Sequence, residues 1–302
     1  MEFCKPPLKV PEQIELLKKR GLTIEDESKA IRVLQHVNYY RLRAYWLPYE
    51  VAENDRPAPG EHAFRKGATF DQIVVTYMFD RKVRLLLLEA IQQVEIALRT
   101  HWAQMLTETY GAHSYLDASL FKNSSMYTAC LGSLDDELQR SKETFVQHYH
   151  SKYTKPSRPP TWAIGELLTL GQLSKWLNNL KHRRDRQAIA HRLGLDEVVV
   201  CAFAHHLTHI RNLCAHHCRV WNRKLTFTMT LPNRPASLAS QFNEQQDRRI
   251  YNTLVMLSWC TRIIDPDGTW SARMKELLAT RNDEEIRAMG APANWSNAQP
   301  WA

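Results

Sequence analysis

The chain has 302 residues, of which 44% are hydrophobic and 24% charged, a balance typical of globular proteins with a substantial core. Its formal net charge of +8 favours an anionic partner, nucleic acid first and a membrane surface second. Six cysteines in a chain of this length are too few for a disulfide framework, so the composition excludes a disulfide-rich scaffold and indicates a reducing compartment.

Neither the N-terminal segment nor the most apolar segment of the chain indicates export or membrane insertion. The N-terminal segment MEFCKPPLKVPEQ has no apolar core, and so it does not resemble a signal peptide. The most apolar run, VRLLLLEAI at 83–91, is too short to span a bilayer. We therefore expect a cytoplasmic protein that does not associate with membranes.

Apolar residues recur at helical spacing along most of the chain, and glycine is scarce, which predicts an all-α fold. A first helix is predicted over 9–20, between a proline in its first turn and Gly21 at its end. Asp26 or Ser28 is the expected cap of a second helix. The following stretch, 37–50, is dense in aromatic residues and arginine, and 51–68 has the composition of a loop.

The longest helical pattern covers 70–109. Further helices are predicted over 133–152, 162–180, 196–221 and 243–264, with a weak one over 271–288. The alternation of threonine with apolar residues in KLTFTMTLP predicts a short β-strand or an extended arm at 224–232.

Three regions follow from this organisation. We expect an N-terminal helical segment over 1–68 that packs on the main domain. The main helical domain is expected over 69–265, and 266–302 forms a C-terminal tail to which the sequence assigns no role.

The segment RNLCAHHCRVWN at 211–222 concentrates polar and reactive side chains at the end of a predicted helix. Helical spacing places one apolar stripe on the core side: Val200, Phe203, Leu207, Ile210 and Cys214. A polar stripe lies roughly opposite: His205, His209, Asn212 and His216. The polar stripe must therefore face solvent, a cleft or a second subunit.

Three interpretations fit this segment. Cys214 and Cys218 could supply two zinc ligands, and His205 and His209 two more, but on one straight helix these pairs point in different directions, so we predict no metal and no other cofactor. A second interpretation is a polar helix face without chemistry.

The third interpretation is metal-independent cleavage of RNA, in which the ribose 2′-hydroxyl attacks the neighbouring phosphate. Histidine is suited to moving the protons, and arginine can hold the charge on the phosphorane oxygens with two parallel hydrogen bonds. Arg211 supplies the planar pair of donors, which we call the fork. Asn212 supplies an orienting amide, and His216 carries the proton. A second copy across a dimer interface would supply the second histidine that an acid–base pair needs.

Four blocks, in order along residues 10–225, resemble the Abi (abortive infection) family of the AbiD/AbiF type, within the HEPN superfamily of helical domains that often act as RNases. They are LLKKRGLTI with LQHVNYYRLRAYWLPY, YMFDRKVRLLLLEAIQQVEIALRTHWAQ, PPTWAIGELLTLGQLSKW, and RNLCAHHCRVWN, whose R-x4-H element matches the HEPN signature.

The resemblance implies a HEPN-like helical bundle with additional N-terminal helices, a homodimer, and a role in anti-phage defence. It implies that Arg211 and His216 are catalytic, with Asn212 beside them. We assign His217, Arg219 and Asn222, which belong to the same block, to the RNA-binding surface. The aromatic and basic run NYYRLRAYW at 38–46 suggests further RNA contacts by Tyr40, Arg41 and Arg43, or else a core aromatic cluster with solvated arginines.

Two functions remain open at this point. The first is a toxin-like endoribonuclease that cuts RNA as a dimer, restrained by an antitoxin or an inhibitory RNA. The second is a non-catalytic protein that forms a ribonucleoprotein with a structured RNA. Glu95 and Arg99 are interpreted as a helix ion pair or as a contact to the site, and Glu166 has the same two interpretations.

Overall fold

The computed structural model describes residues 6–55, 62–298 and 301. Within these residues the regular structure is entirely helical, with no β-strand, which confirms the all-α prediction. The chain divides into two compact units, residues 1–82 and 83–302. None of the helices in the described residues is both long and apolar enough to cross a membrane.

The first unit holds three short helices and the start of a long one. Its helices are α1 (Val10–Lys19), α2 (Glu27–His36) and α3 (Tyr39–Trp46). The Asp26 side chain accepts a hydrogen bond from the backbone N–H of Lys29, so Asp26 is the cap of α2. The predicted loop over 51–68 falls partly outside the described residues.

Helix α4 (Phe70–Tyr110) is the longest in the chain, and its bounds agree with the prediction to within one residue. Its predicted core stripe is buried: Val83, Leu87, Ile91, Val94 and Leu98. Arg99 of α4 forms an ion pair with Glu95 of the same helix, which was one of the two interpretations of these residues. A longer ion pair of 3.9 Å joins Arg99 to Glu166.

Two predicted helices are each divided in the structure. The predicted helix over 133–152 is wrong as a single element: α5 (Ser124–Arg140) and α6 (Thr144–Lys152) replace it. The break lies at Ser141, whose backbone is extended and whose hydroxyl accepts from the N–H of Glu143 at 3.2 Å. A serine that bonds to nearby backbone competes with helix formation, and here the competition ends α5.

The predicted helix over 162–180 is likewise two elements, α7 (Thr161–Gly165) and α8 (Leu170–Asn179). Thr169 and Gln172 form a capping box, in which each side chain bonds to the backbone N–H of the other residue. This box starts a new helix, and it was not recognised in the sequence.

Helices α9 (Arg183–His191) and α10 (Glu197–Ala215) follow. Helix α10 packs against both α8 and α9. It ends at Ala215, six residues before the predicted end at 221.

Residues 224–232 do not form the predicted short strand. Two hydrogen bonds join Leu225 to Arg248. The N–H of Leu225 donates to the carbonyl of Arg248 at 2.8 Å, and Nε of Arg248 donates to the carbonyl of Leu225 at 3.0 Å. One of these bonds uses a side chain, so no ladder of backbone pairs forms. Residues 224–232 have no regular secondary structure and bend at Thr226 and Phe227; we call this segment the arm.

The last elements are α11 (Ala236–Ala239), α12 (Tyr251–Ile264), α13 (Trp270–Ala279) and α14 (Asp283–Arg287). The segment after 266, which the sequence left without a role, is packed into the second unit. Nε1 of Trp270 donates to the carbonyl of Leu86 at 2.7 Å, and Nε1 of Trp221 donates to that of Glu285 at 3.1 Å.

Candidate functional site

Helix α10 is fixed at its N-terminal end by charged groups. The Asp196 side chain caps the helix by accepting from the N–H of Val198. The buried carboxylate of Glu197 accepts from Nε of Arg183 at 2.6 Å, which joins the start of α10 to the start of α9. These contacts hold the N-terminal end of α10 in place against α9.

The two stripes predicted on α10 are confirmed. The apolar stripe is buried at all five positions: Val200, Phe203, Leu207, Ile210 and Cys214. On the polar stripe, His205, Asn212 and His216 are exposed and His209 is half-buried. The polar stripe therefore faces away from the buried apolar stripe, with its most exposed part at Asn212 and His216.

The helix ends at Ala215, just before the two histidines of the motif. His217 has a φ of 57°, in the left-handed region, where glycine is the usual residue. Its N–H donates to the carbonyl of Cys214, and the N–H of Cys218 donates to that of Leu213. These two bonds form a Schellman motif, with His216 at the C-cap and His217 just beyond it. His216 is thus placed at the exposed end of α10.

Arg211 and Asn212 lie one turn earlier, and both are exposed. Nη1 of Arg211 donates to Oδ1 of Asn212 at 3.4 Å. Since the backbone N–H of His216 also bonds to the carbonyl of Asn212, Asn212 connects the guanidinium to the turn that carries His216. The structure thus places the three residues predicted to be catalytic on the last turn of α10 and its C-cap, all exposed.

The remaining assigned residues of the motif differ in exposure. Arg219 and Asn222 are half-buried, and His217 is exposed. Nη1 of Arg249 donates to Oδ1 of Asn222 at 2.9 Å, and Asn222 also has a left-handed φ, of 49°. Asn222 therefore holds the turn after α10 to the segment before α12.

One histidine of α10 was missed by sequence reasoning. His206 is buried, with Nδ1 3.0 Å from the carbonyl of Phe227 and Nε2 2.8 Å from Oγ1 of Thr253. Because a carbonyl only accepts, Nδ1 carries the proton, and Nε2 accepts from the threonine hydroxyl. Burial lowers the pKa of His206 to about 4, so it stays neutral at pH 7. Its position between His205 and His209, both on the polar stripe, gave no signal of this role.

His206 attaches the arm to α10. The ring of Phe227 packs edge-on against the rings of His205 and His209, with centroids 5.6 and 5.1 Å apart. The pKa of His209 is lowered, first by burial and then by the charges of Arg223 and His205. An aromatic side chain thus covers the first half of the polar stripe, and only the Asn212–His216 end is left uncovered by it.

The sequence around the motif is strongly biased in charge. No aspartate or glutamate occurs between Glu197 and Glu244. The same interval carries these cationic residues: Arg211, Arg219, Arg223, Lys224 and Arg234. A segment of this kind attracts polyanions through charge alone.

The N-terminal residues assigned to RNA lie in the first unit, on α3. Tyr40 is exposed over 78% of its surface, while Arg41 and Arg43 are half-buried. Nη2 of Arg43 lies 3.2 Å from Nε2 of His62, whose Nδ1 lies 3.1 Å from the Glu50 carboxylate. The neighbouring aromatics Tyr45 and Trp46 are buried, so this run is largely core, with Tyr40 on its surface.

In the described residues, no group of three or more histidine, cysteine, aspartate or glutamate side chains is placed to hold a metal ion. Cys214 is buried in the apolar stripe, whereas His205 is exposed on the polar one. The two ligand pairs considered from the sequence therefore lie on different sides of α10.

A cavity of about 270 Å³ lies elsewhere in the second unit, between α4 and α7. Its lining includes Arg99, Ala103, Trp162 and Glu166. Trp162 is 53% exposed, and Nε of Arg99 is buried without a hydrogen-bond partner. The Arg99–Glu166 ion pair therefore borders this cavity, and within the described residues no hydrogen bond or ion pair joins Arg99 or Glu166 to Arg211 or His216.

The model of one protein family, described as Abi-like protein, matches residues 32–222. The match ends at Asn222, the last residue of the motif, and includes α10 in full. No curated protein and no solved structure matches the chain.

Proposed function

The chain belongs to the Abi-like protein family, and we propose that it serves abortive infection as a metal-independent endoribonuclease of the HEPN type, active as a dimer. The observation that carries the proposal is the grouping of Arg211, Asn212 and His216 at the exposed end of α10. The acid-free, basic segment around them supplies the attraction for RNA.

The proposed reaction follows from the chemistry of these groups. His216 accepts the proton of the ribose 2′-hydroxyl, whose oxygen attacks the adjacent phosphorus. Arg211 donates hydrogen bonds to the phosphorane oxygens as their negative charge grows, and Asn212 holds the guanidinium in place. The bond from phosphorus to the 5′-oxygen breaks, and this oxygen takes up a proton. The products are a 2′,3′-cyclic phosphate and a 5′-hydroxyl.

A second histidine is needed to protonate the leaving oxygen while His216 removes the first proton. The motif is exposed at a helix end, so a second copy of the chain can bring its own motif opposite. In a two-fold dimer the two copies of His216 would then share the roles of base and acid.

The test is cleavage of single-stranded RNA by purified protein in excess EDTA. We expect Arg211→Ala and His216→Ala to lower the rate by roughly a hundredfold or more, since each removes a group that acts in the transition state. Both side chains are exposed, so both variants should keep the wild-type circular dichroism and thermal midpoint. Matched controls are Arg140→Ala and His191→Ala, which change exposed residues on α5 and α9 and should leave the rate unchanged.

Dimerisation is tested with the same variants. Sedimentation of the wild type should give the mass of two chains. If the site needs both copies, an excess of His216→Ala chains will lower the activity of wild-type protein more than dilution does, because most wild-type chains are then in mixed dimers. If the activity falls only in proportion to the fraction of wild-type chains, the proposal of a site shared between two copies is rejected.

The second candidate function is a non-catalytic ribonucleoprotein, which the acid-free basic segment supports equally. It predicts copurified RNA, seen as a raised ratio of absorbance at 260 to 280 nm. It also predicts that wild type binds RNA more tightly than Arg211→Ala while neither protein cuts it. That pair of results would replace the nuclease proposal.

A further inference from the structure

We infer that Phe227 is a stacking platform for an unpaired base of the RNA bound at the α10 site. The inference rests on the proposed function in one respect, that the polar end of α10 holds RNA. It adds that the ligand is single-stranded next to the motif, and it names the side chain that selects this state.

The first support is that Phe227 is a large apolar side chain kept at the surface. It is 47% exposed, while the apolar residues on either side of it in the arm, Leu225 and Met229, are buried. The residues immediately before and after it, Thr226 and Thr228, are exposed. Isolated exposed apolar residues are common, so exposure alone decides nothing.

The second support is that the platform is held rigidly. Buried His206 donates to the carbonyl of Phe227 at 3.0 Å. Arg248 donates to the carbonyls of Leu225 and Thr226 at 3.0 and 3.3 Å. The phenyl ring also makes T-shaped contacts with the rings of His205 and His209. A ring held in this way loses little conformational freedom when a base stacks on it.

The third support is position. Phe227 sits over His205 and His209, on the same stripe of α10 that leads to Asn212 and His216. His209 precedes His216 by seven residues, roughly 10 Å of helix rise. One short RNA strand can therefore place a base on Phe227 and a phosphate at the motif.

The surroundings favour nucleic acid over a protein partner. Protein interfaces have an apolar centre from which charged groups are depleted. Here a single aromatic ring is set among threonines, two histidines and the cations Arg223 and Lys224. Aromatic rings interleaved with cations and hydroxyls are the pattern of single-strand binding surfaces, where every base offers a face for stacking.

The experiment is an abasic scan with a fluorescein-labelled single-stranded RNA of about a dozen nucleotides. Affinity is measured by anisotropy with the His216→Ala chain, so that the RNA stays intact. Phe227 is then replaced by Trp, Leu or Ala in that background. Leu keeps an apolar side chain of similar size without a π face, and Trp enlarges the π face. Thermal unfolding checks that each chain is folded.

We expect Phe227→Leu and Phe227→Ala to weaken RNA binding roughly 5- to 100-fold, and Phe227→Trp to keep or strengthen it. Removing one base at a particular position should weaken binding to the Phe227 chain by a similar factor and leave binding to the Phe227→Ala chain unchanged. This loss of coupling is the mark of stacking, and a purely structural role for Phe227 would not produce it.

Two results would overturn the inference. One is that Phe227→Leu binds RNA as the parent does, with no base position coupled to residue 227. The other is that Phe227→Ala leaves RNA binding unchanged but weakens self-association in sedimentation, which would make the arm a contact between copies. Failure of the nuclease proposal can be told apart from failure of this inference. If the wild-type chain binds RNA without cutting it, the nuclease proposal fails, but the stacking experiment can still be carried out.

Discussion

Arg211 donates from Nη1 to the amide oxygen of Asn212 at 3.4 Å, although neighbouring residues on a helix point about 100° apart. The long arginine side chain folds back around the helix to reach its neighbour. A guanidinium that helical spacing alone would direct away from His216 is thereby brought to the stripe that carries it.

The geometry of the fork, and not charge alone, should matter at Arg211. Lysine keeps the charge but loses the planar pair of donors that matches two phosphorane oxygens. We expect Arg211→Lys to cut RNA at least tenfold more slowly than wild type, with the free energy of unfolding within about 0.5 kcal/mol of wild type. Single-turnover cleavage and urea unfolding measure the two effects. Arg140→Lys, on the exposed side of α5, is the control and should change neither; a wild-type rate in Arg211→Lys would reject the role of the fork.

The conformation of His217 predicts opposite effects of two substitutions. Its left-handed φ of 57° suits glycine and opposes a β-branched residue. We expect His217→Gly to hold or raise the free energy of unfolding by up to about 1 kcal/mol, and His217→Val to lower it by about 1–2 kcal/mol. Urea denaturation decides this.

His217→Gly also separates the turn from RNA contact. If the side chain binds RNA, as its place in the motif suggests, the glycine variant will be as stable as wild type and yet bind RNA more weakly. Equal affinity in the two proteins would leave His217 as a turn residue only.

Buried histidines should make the fold sensitive to acid. The pKa of His206 is about 4 in the folded chain and about 6.5 when histidine is free in solution, so the unfolded state binds the proton first. The stability due to neutral His206 is complete above pH 6.5 and declines as the pH falls towards 4. A shift of this size corresponds to about 3 kcal/mol. His101, whose pKa is lowered to about 4 by burial and then by Arg192, acts in the same direction.

The free energy of unfolding, measured at several pH values from 7 to 4, tests this. We expect a steep decline in the wild type and a shallower one in His206→Gln, which has no proton to gain. His206→Gln should also be less stable at pH 7, because the bonds to Phe227 and Thr253 are disturbed. An unchanged slope in this variant would contradict the assignment.

The C-terminal segment should be essential for the stability of the second unit. Trp270 is 2% exposed and donates to the carbonyl of Leu86. We expect Trp270→Ala to lower the free energy of unfolding by about 3–5 kcal/mol. Trp162→Ala is the matched control: this side chain is 53% exposed, and its removal should cost about 1 kcal/mol or less. Similar losses in the two variants would mean that Trp270 is not a core residue.

The sequence by itself determined the helical class, the approximate place of the long helix α4, the two stripes of α10 and the exposure of Arg211, Asn212 and His216. These features depend on spacing along a single helix and on local caps such as Asp26, so a short stretch of chain contains the whole signal. Local signals were also overlooked: the Thr169–Gln172 capping box divides one predicted helix, and the bond from Glu143 to Ser141 divides another.

Only the tertiary structure decided that His206 is buried between Phe227 and Thr253, that Phe227 covers half of the polar stripe, and that Trp270 packs beside Leu86. Each of these contacts joins residues that are 18 to 184 positions apart in the chain. Periodicity reports which face of a helix is apolar, but it carries no information about which distant segment covers that face. The packing of the arm and α12 against α10 therefore decided which of its histidines is buried, His206, which is half-buried, His209, and which is exposed, His205.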